Sequence, residues 1–120
     1  MKILLVDDHE VVRLGLKTLL SRNPQFQVVA EASNASEALD RVARYKPDVV
    51  VMDIRLPGKS GIEATREIIK QDAKAVIVMC SALGQESLVM EAIEAGATDF
   101  IVKPFRGEDV LAVVKKVLGE

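Results

Sequence analysis

The sequence is poor in the residues that staple, ligate or stack. Its 120 residues include one cysteine, one histidine and no tryptophan, and aromatic residues make up 3%. A lone Cys80 excludes an internal disulfide. Its place at the end of an apolar run reads as a buried, reduced thiol. A lone His9, with no cysteine or second histidine as partner, lacks the spacing of a zinc site. It falls in the first turn of a helix, where no role in the chemistry is required of it. Basic blocks are also missing: 16 Lys and Arg stand against 18 Asp and Glu, for a net charge of −2. Direct contact with nucleic acid or an anionic membrane surface is therefore not expected. No apolar run reaches the length of a membrane span. Met1-Lys2 leads straight into a short strand, with no signal-peptide pattern, so a cytoplasmic protein is expected.

Hydrophobic residues make up 49% of the chain, enough for a sizeable core and against disorder. The length suits one domain, residues 1–120. Four apolar runs stand out by the residues on which they end. Ile3-Leu4-Leu5-Val6 runs into Asp7-Asp8, and Val49-Val50-Val51-Met52 into Asp53. Ala75-Val76-Ile77-Val78-Met79-Cys80 runs into Ser81, and Phe100-Ile101-Val102 into Lys103-Pro104. Short β-branched runs bounded by turn signals read as buried parallel strands. In open α/β sheets, ligands sit outside the carboxyl ends of the strands. Three carboxylates, a hydroxyl and an ammonium are thus expected at one sheet edge.

Amphipathic stretches alternate with the strands. A first helix is expected over about residues 9–22, with Val12, Leu16, Leu19 and Leu20 on one face, stopped by Asn23-Pro24. Gly15 inside it costs about 1 kcal/mol against Ala, which points to close packing there. Phe26–Ala32 reads as the second strand. Asn34 with Glu37 reads as a capping box opening a second helix, whose inner face is Ala38, Leu39, Val42 and Ala43. After Asp53 and the loop through Pro57-Gly58, a third helix turns Ile62, Thr65, Ile68 and Ile69 inward. A fourth runs from about Glu86 to Ala95 and closes on Gly96. A fifth carries the stripe Val110, Val113, Val114 and Val117. Met79 and Met90 are scattered, as filler or surface. Five βα units without a long linker imply one doubly wound α/β domain.

The chemistry arises from the grouping. Packed carboxylates repel, and a hard divalent cation such as Mg²⁺ or Mn²⁺ relieves this with oxygen ligands. A phosphoryl group would then be tolerated, with Lys103 and Ser81 as further donors to its oxygens. Taken singly, Asp7 and Asp8 are an ordinary acidic helix start. Lys103 alone is a solvated charge, and Ser81 alone a cap. Their agreement carries the reading.

Val6-Asp7-Asp8, Met52-Asp53, Ser81-Ala82 and Lys103-Pro104-Phe105 together resemble the motif set of the response-regulator receiver domain, over essentially the whole chain. The resemblance implies a flavodoxin-like (βα)₅ fold with strand order 2-1-3-4-5. It implies that Asp53 accepts phosphate from a sensor histidine kinase. It implies Mg²⁺ held by Asp8, Asp53 and the Arg55 carbonyl, with Asp7 acting through water. Lys103 and Ser81 would contact the phosphoryl group, and Lys103-Pro104 would be cis. Phe100 reads either as core or, by the resemblance, as an aromatic switch that moves with Ser81. The fourth helix, fifth strand and fifth helix would change partners, meeting an output protein or an effector domain. A phosphorylation-dependent dimer is left open.

Asp7-Asp8-His9 to Arg13 and Met52 to Gly58 resemble receivers of the NarL/LuxR transcription-factor type. Cys80 to Gln85 and Ala95 to Phe105 resemble chemotaxis-type single-domain regulators. A receiver portion of a longer DNA-binding regulator is the alternative within the family. Outside it, an aspartyl-phosphate hydrolase of the haloacid dehalogenase type wants an acid two residues after the nucleophile, where this chain has Arg55. A flavodoxin-like cofactor binder wants a phosphate cradle after the first strand, where Asp7-Asp8-His9-Glu10 would repel one. The expected protein is a switch that promotes only its own phosphorylation and dephosphorylation.

Overall fold

A computed structural model describes residues 1–119. Its elements alternate along the chain: β1 (Lys2–Val6), α1 (Glu10–Leu20), β2 (Gln27–Ala32), α2 (Ala35–Tyr45) and β3 (Val49–Asp53). The second half contains α3 (Gly61–Gln71), β4 (Ile77–Ala82), α4 (Glu86–Ala95), β5 (Asp99–Lys103) and α5 (Gly107–Val117). The strands form one parallel sheet in the order β2-β1-β3-β4-β5, as the motif set implies.

The apolar runs are continuous because both faces of the sheet are covered. Successive side chains alternate between faces. Ile3, Leu5, Val49, Val51, Val78 and Cys80 pack with Leu16 and Leu20 of α1 and Val110 and Val114 of α5. Leu4, Val6, Val50, Met52, Ile77 and Met79 pack on the other face with α2, α3 and α4, through Ala38, Val42, Ile62, Ile68, Val89 and Ala92. Each fully buried large side chain contributes about 1.5–3 kcal/mol, against about 1 kcal/mol for a helix cap. The two faces therefore dominate stability, and the caps set boundaries.

The caps differ from expectation in detail. Asn34 accepts from the Glu37 amide at 2.9 Å, as an N-cap should. The Glu37 carboxylate reaches one residue further back, to the amide and hydroxyl of Ser33, both at 2.8 Å. The full reciprocal capping box lies instead at Ser60 and Glu63, where α3 begins. Gly96 ends α4 at φ 119°, in the left-handed region that favours glycine. Ala43 is exposed rather than part of the inner face of α2, and Leu19 is only half-buried.

Gly15 corrects another expectation. It is exposed, and a Cβ built there meets no atom within 4 Å. Close packing does not explain it. Gly15→Ala is expected to stabilise the protein by about 1 kcal/mol, because only the helix propensity changes. A urea titration checks this, and a lower midpoint for the variant would contradict it.

Candidate functional site

The parallel register brings the ends of four strands to one edge. Val6 pairs with Met52, so Asp7 and Asp8 leave β1 beside Asp53, the last residue of β3. Asp53 pairs with Cys80, Ser81 with Val102, and Ala82 with Lys103. Lys103 is the last residue of β5, and the Lys103–Pro104 peptide is cis.

Asp7 and Asp53 are nearly buried, with relative exposures of 2% and 8%. Lys103 reaches over them: its Nζ stands 3.3 Å from Asp7 Oδ2 and 3.3 Å from Asp53 Oδ2. Ligating atoms of Asp7, Asp8, His9 and Asp53 all lie within 4.8 Å of one another. Asp8, His9, Asp53, Arg55, Gln85 and Lys103 surround a cleft of about 410 Å³. A larger cleft of about 570 Å³ between Asn34, Ser36, Leu39, Pro57 and Lys59 lacks such a set of carboxylates.

The pocket's charges are interdependent. Burial raises the Asp53 carboxyl above its usual range; the Lys103 charge opposes this, and Asp7 adds to it. For Lys103, burial alone would favour the neutral amine. The Asp53 and Asp7 charges outweigh it, so the ammonium is held more firmly than usual. The arrangement places a buried carboxylate beside a fixed cation and an oxygen-rich cluster suited to a hard divalent ion.

Asp7, Asp8, Asp53 and Lys103 are thus gathered as the sequence predicts. The Arg55 side chain is exposed beside the cleft, and its amide stands 3.4 Å from Asp53 Oδ1. Ser81 is 1% exposed and lines a neighbouring apolar groove with Leu83, Val89, Met90, Phe100 and Val102. Phe100 is 41% exposed, so the core reading of this residue is wrong. The residue sits on the edge strand β5, one position before the buried Ile101. Strand alternation points Phe100 and Val102 to the face opposite Ile101, where the groove beside α4 leaves them partly uncovered.

Several neighbours were not legible from the motifs. His9, for which the sequence suggests no role, lies in the cluster. Arg13 donates through its guanidinium to the Asp7 carbonyl and, at 3.0 Å, to Glu31. Lys17 holds the other Glu31 oxygen at 2.9 Å. The Lys17 hydrogen bond, against the effect of burial and with help from Arg13, keeps Glu31 below the usual carboxylate range. Gln85 accepts from the Ala82 amide at 2.6 Å, fixing the turn after Ser81. The one advance signal is the position of Arg13, three residues before the buried Leu16 and so at the border of the inner face of α1.

Cys80 pairs with Asp53 in the sheet and is buried in the core. Burial pushes its thiol up to about 12, with Lys103 pulling it down and Asp53 and Asp7 adding to the rise. A thiol reagent at neutral pH is therefore expected to label the native protein only as fast as the sheet opens. Labelling at the rate of a free peptide thiol would contradict the burial.

Comparison with known proteins supplies the wider frame. The family model described as the response regulator receiver domain matches residues 3–115. The chain is 49% identical to the chemotaxis protein CheY of Bacillus subtilis over 98% of both chains. It is 40% identical to the DNA-binding transcriptional activator DevR/DosR of Mycobacterium tuberculosis, across 97% of this chain and 54% of that one. The crystal structure of the CheX-CheY-BeF3-Mg²⁺ complex from Borrelia burgdorferi superposes with a TM-score of 0.91 and 32% identity, covering 98% of this chain and 88% of that chain. Among the described residues, no helix is long and apolar enough to cross a membrane.

Proposed function

Because the chain belongs to the response regulator receiver domain family, as a CheY-like receiver of the two-component type, we propose that Asp53 accepts a phosphoryl group from the phosphohistidine of a sensor kinase. The N–P bond to the kinase imidazole breaks as a bond forms from an Asp53 carboxylate oxygen to phosphorus, leaving an acyl phosphate. The observation that carries this reading is the Lys103 ammonium, 3.3 Å from both Asp7 and Asp53 at the cleft. It fixes a cation where phosphoryl oxygens would arrive.

The donor set of three carboxylates suits a hard divalent ion, so the residues fit Mg²⁺ or Mn²⁺. Asp8, Asp53 and the Arg55 carbonyl would hold it, with Asp7 acting through a water. When bound, the ion neutralises charge on the phosphoryl oxygens as the bond forms. Lys103 holds the Asp53 carboxylate before transfer and a phosphoryl oxygen after it. Ser81 lines the groove of Phe100, and its neighbour Ala82 lines both that groove and this cleft, so a Ser81 hydroxyl drawn toward the phosphoryl group would alter the groove wall. The face of α4, β5 and α5 then changes its affinity for an output partner, as a two-state element biased by a ligand must. The protein promotes only its own phosphorylation and dephosphorylation, in the cytoplasm where such kinases present their phosphohistidine. The relation to DevR/DosR favours a second output reading, the receiver portion of a longer DNA-binding regulator.

Beryllofluoride with Mg²⁺, as a mimic of the phosphoryl group, tests this by hydrogen exchange. Protection is expected to change most between Leu83 and Leu111. Lys103→Ala is expected to keep some beryllofluoride binding and lose that change. Changes confined to α1, α2 and β2, or a wild-type pattern in Lys103→Ala, would contradict the proposed coupling.

A further inference from the structure

The chain's single histidine stands inside its acidic cluster. His9 is the N-cap residue of α1, yet its ring makes no capping hydrogen bond to the helix. The ring's contacts are carboxylate oxygens instead. Nδ1 lies 3.1 Å from Asp7 Oδ1 and 3.2 Å from Asp8 Oδ1. The Asp7 oxygen also accepts the His9 amide at 2.8 Å, which fixes the residue beside the cluster. The side chain is 67% exposed, so nothing must be unpacked for it to meet an ion.

These spacings have a meaning in coordination chemistry. Two adjacent ligands about 2.1 Å from an octahedral first-row ion stand about 3.0 Å apart. Nδ1 and Asp8 Oδ1, 3.2 Å apart, are already near that separation, and Asp53 belongs to the same cluster within 4.8 Å. Mg²⁺ prefers oxygen and gains little from an imidazole. Ni²⁺, Co²⁺ and Zn²⁺ bind imidazole well.

The geometry points to His9 Nδ1 as a direct ligand for first-row transition cations, making this pocket a mixed nitrogen and oxygen site that selects them over Mg²⁺. The inference rests on the reading of Asp8 and Asp53 as cation ligands. It adds a ligand that discriminates between ions: Mg²⁺ is held by oxygens alone, whereas Ni²⁺ recruits the ring.

The test is calorimetric titration of tag-free protein with Ni²⁺ and with Mg²⁺, in wild type, His9→Ala and Asp8→Asn. His9→Ala is expected to weaken Ni²⁺ binding about tenfold or more and Mg²⁺ binding less than about threefold. Mg²⁺ is expected to displace Ni²⁺ competitively. In wild type, Co²⁺ is expected to shift the single imidazole's NMR signals strongly, a readout that needs no variant. Unchanged Ni²⁺ affinity in His9→Ala, or simultaneous binding of both ions, would overturn the inference while leaving the Mg²⁺ site standing. Asp8→Asn separates the two readings. If it leaves Mg²⁺ affinity intact, the oxygen site itself is wrong, whatever His9 does.

Discussion

Asp53→Asn is expected to abolish modification by small phosphodonors and beryllofluoride completely. The amide retains the shape of the carboxylate but lacks the charged nucleophile. The same substitution is expected to stabilise the apo fold at neutral pH. Burial holds the Asp53 carboxyl above its ordinary value of 3.8, so folding disfavours the ionised form. For a carboxyl raised in this way, the favourable contribution is fully present below the unfolded value and is lost as pH rises through the folded one. Wild type is thus expected to carry an electrostatic penalty at neutral pH that the variant lacks. Mg²⁺ at ten times its Kd is expected to return about 1.4 kcal/mol to wild type, and less to Asp53→Asn. Thermal unfolding at pH 7 with and without Mg²⁺ measures both effects. A variant less stable than wild type in the absence of cation would contradict the penalty.

Gly61→Ala is expected to be the most damaging small substitution near the site. Gly61 is buried at the first turn of α3, and its amide donates to the Ile54 carbonyl at 2.7 Å. A Cβ there would fall on the carbonyl of Asp53, a backbone atom that no side-chain rotation can move aside. The start of α3 is fixed by the Ser60–Glu63 capping box and by the burial of Ile62, so the strain passes to the main chain of Asp53. A loss of about 3 kcal/mol or more is expected. Beryllofluoride affinity should fall as well, because misplacement of a reacting group by about 1 Å costs roughly 100-fold. Urea titration and beryllofluoride binding check the two consequences. A variant as stable as wild type would mean that α3 does not approach the end of β3 as described.

The fold was legible because a sheet covered on both faces writes continuous apolar runs into the sequence, and because each run ends on a chemically distinctive residue. The order of the strands came from the family resemblance rather than from the runs. Asp7, Asp8, Asp53 and Lys103 were legible for the same reason: a strand end is a position that sequence can mark. His9 was not, because its place depends on how Asp7 turns the chain between β1 and α1. Sequence shows neighbours along the chain, not the direction of a ring. Arg13 binds a carbonyl and a carboxylate from different elements, and no motif records that. Phe100 was ambiguous because alternation assigns a side chain to a face without saying whether a helix covers it. Gly15 misled because a glycine in a helix signals packing only when something packs there. Gly61 carried no signal at all, since the backbone it meets lies back at the end of β3, across a loop that reads as ordinary turn chemistry.

The most direct test of the central claim is to locate the phosphoryl group. Wild-type protein is incubated with a small phosphodonor, with and without Mg²⁺, reduced with borohydride to trap any acyl phosphate, and mapped by peptide mass spectrometry. Reduction of Asp53 alone, and only in the presence of the cation, is the predicted result. Trapping at Asp7 or Asp8, or equal trapping at Asp53 without any divalent ion, would contradict it.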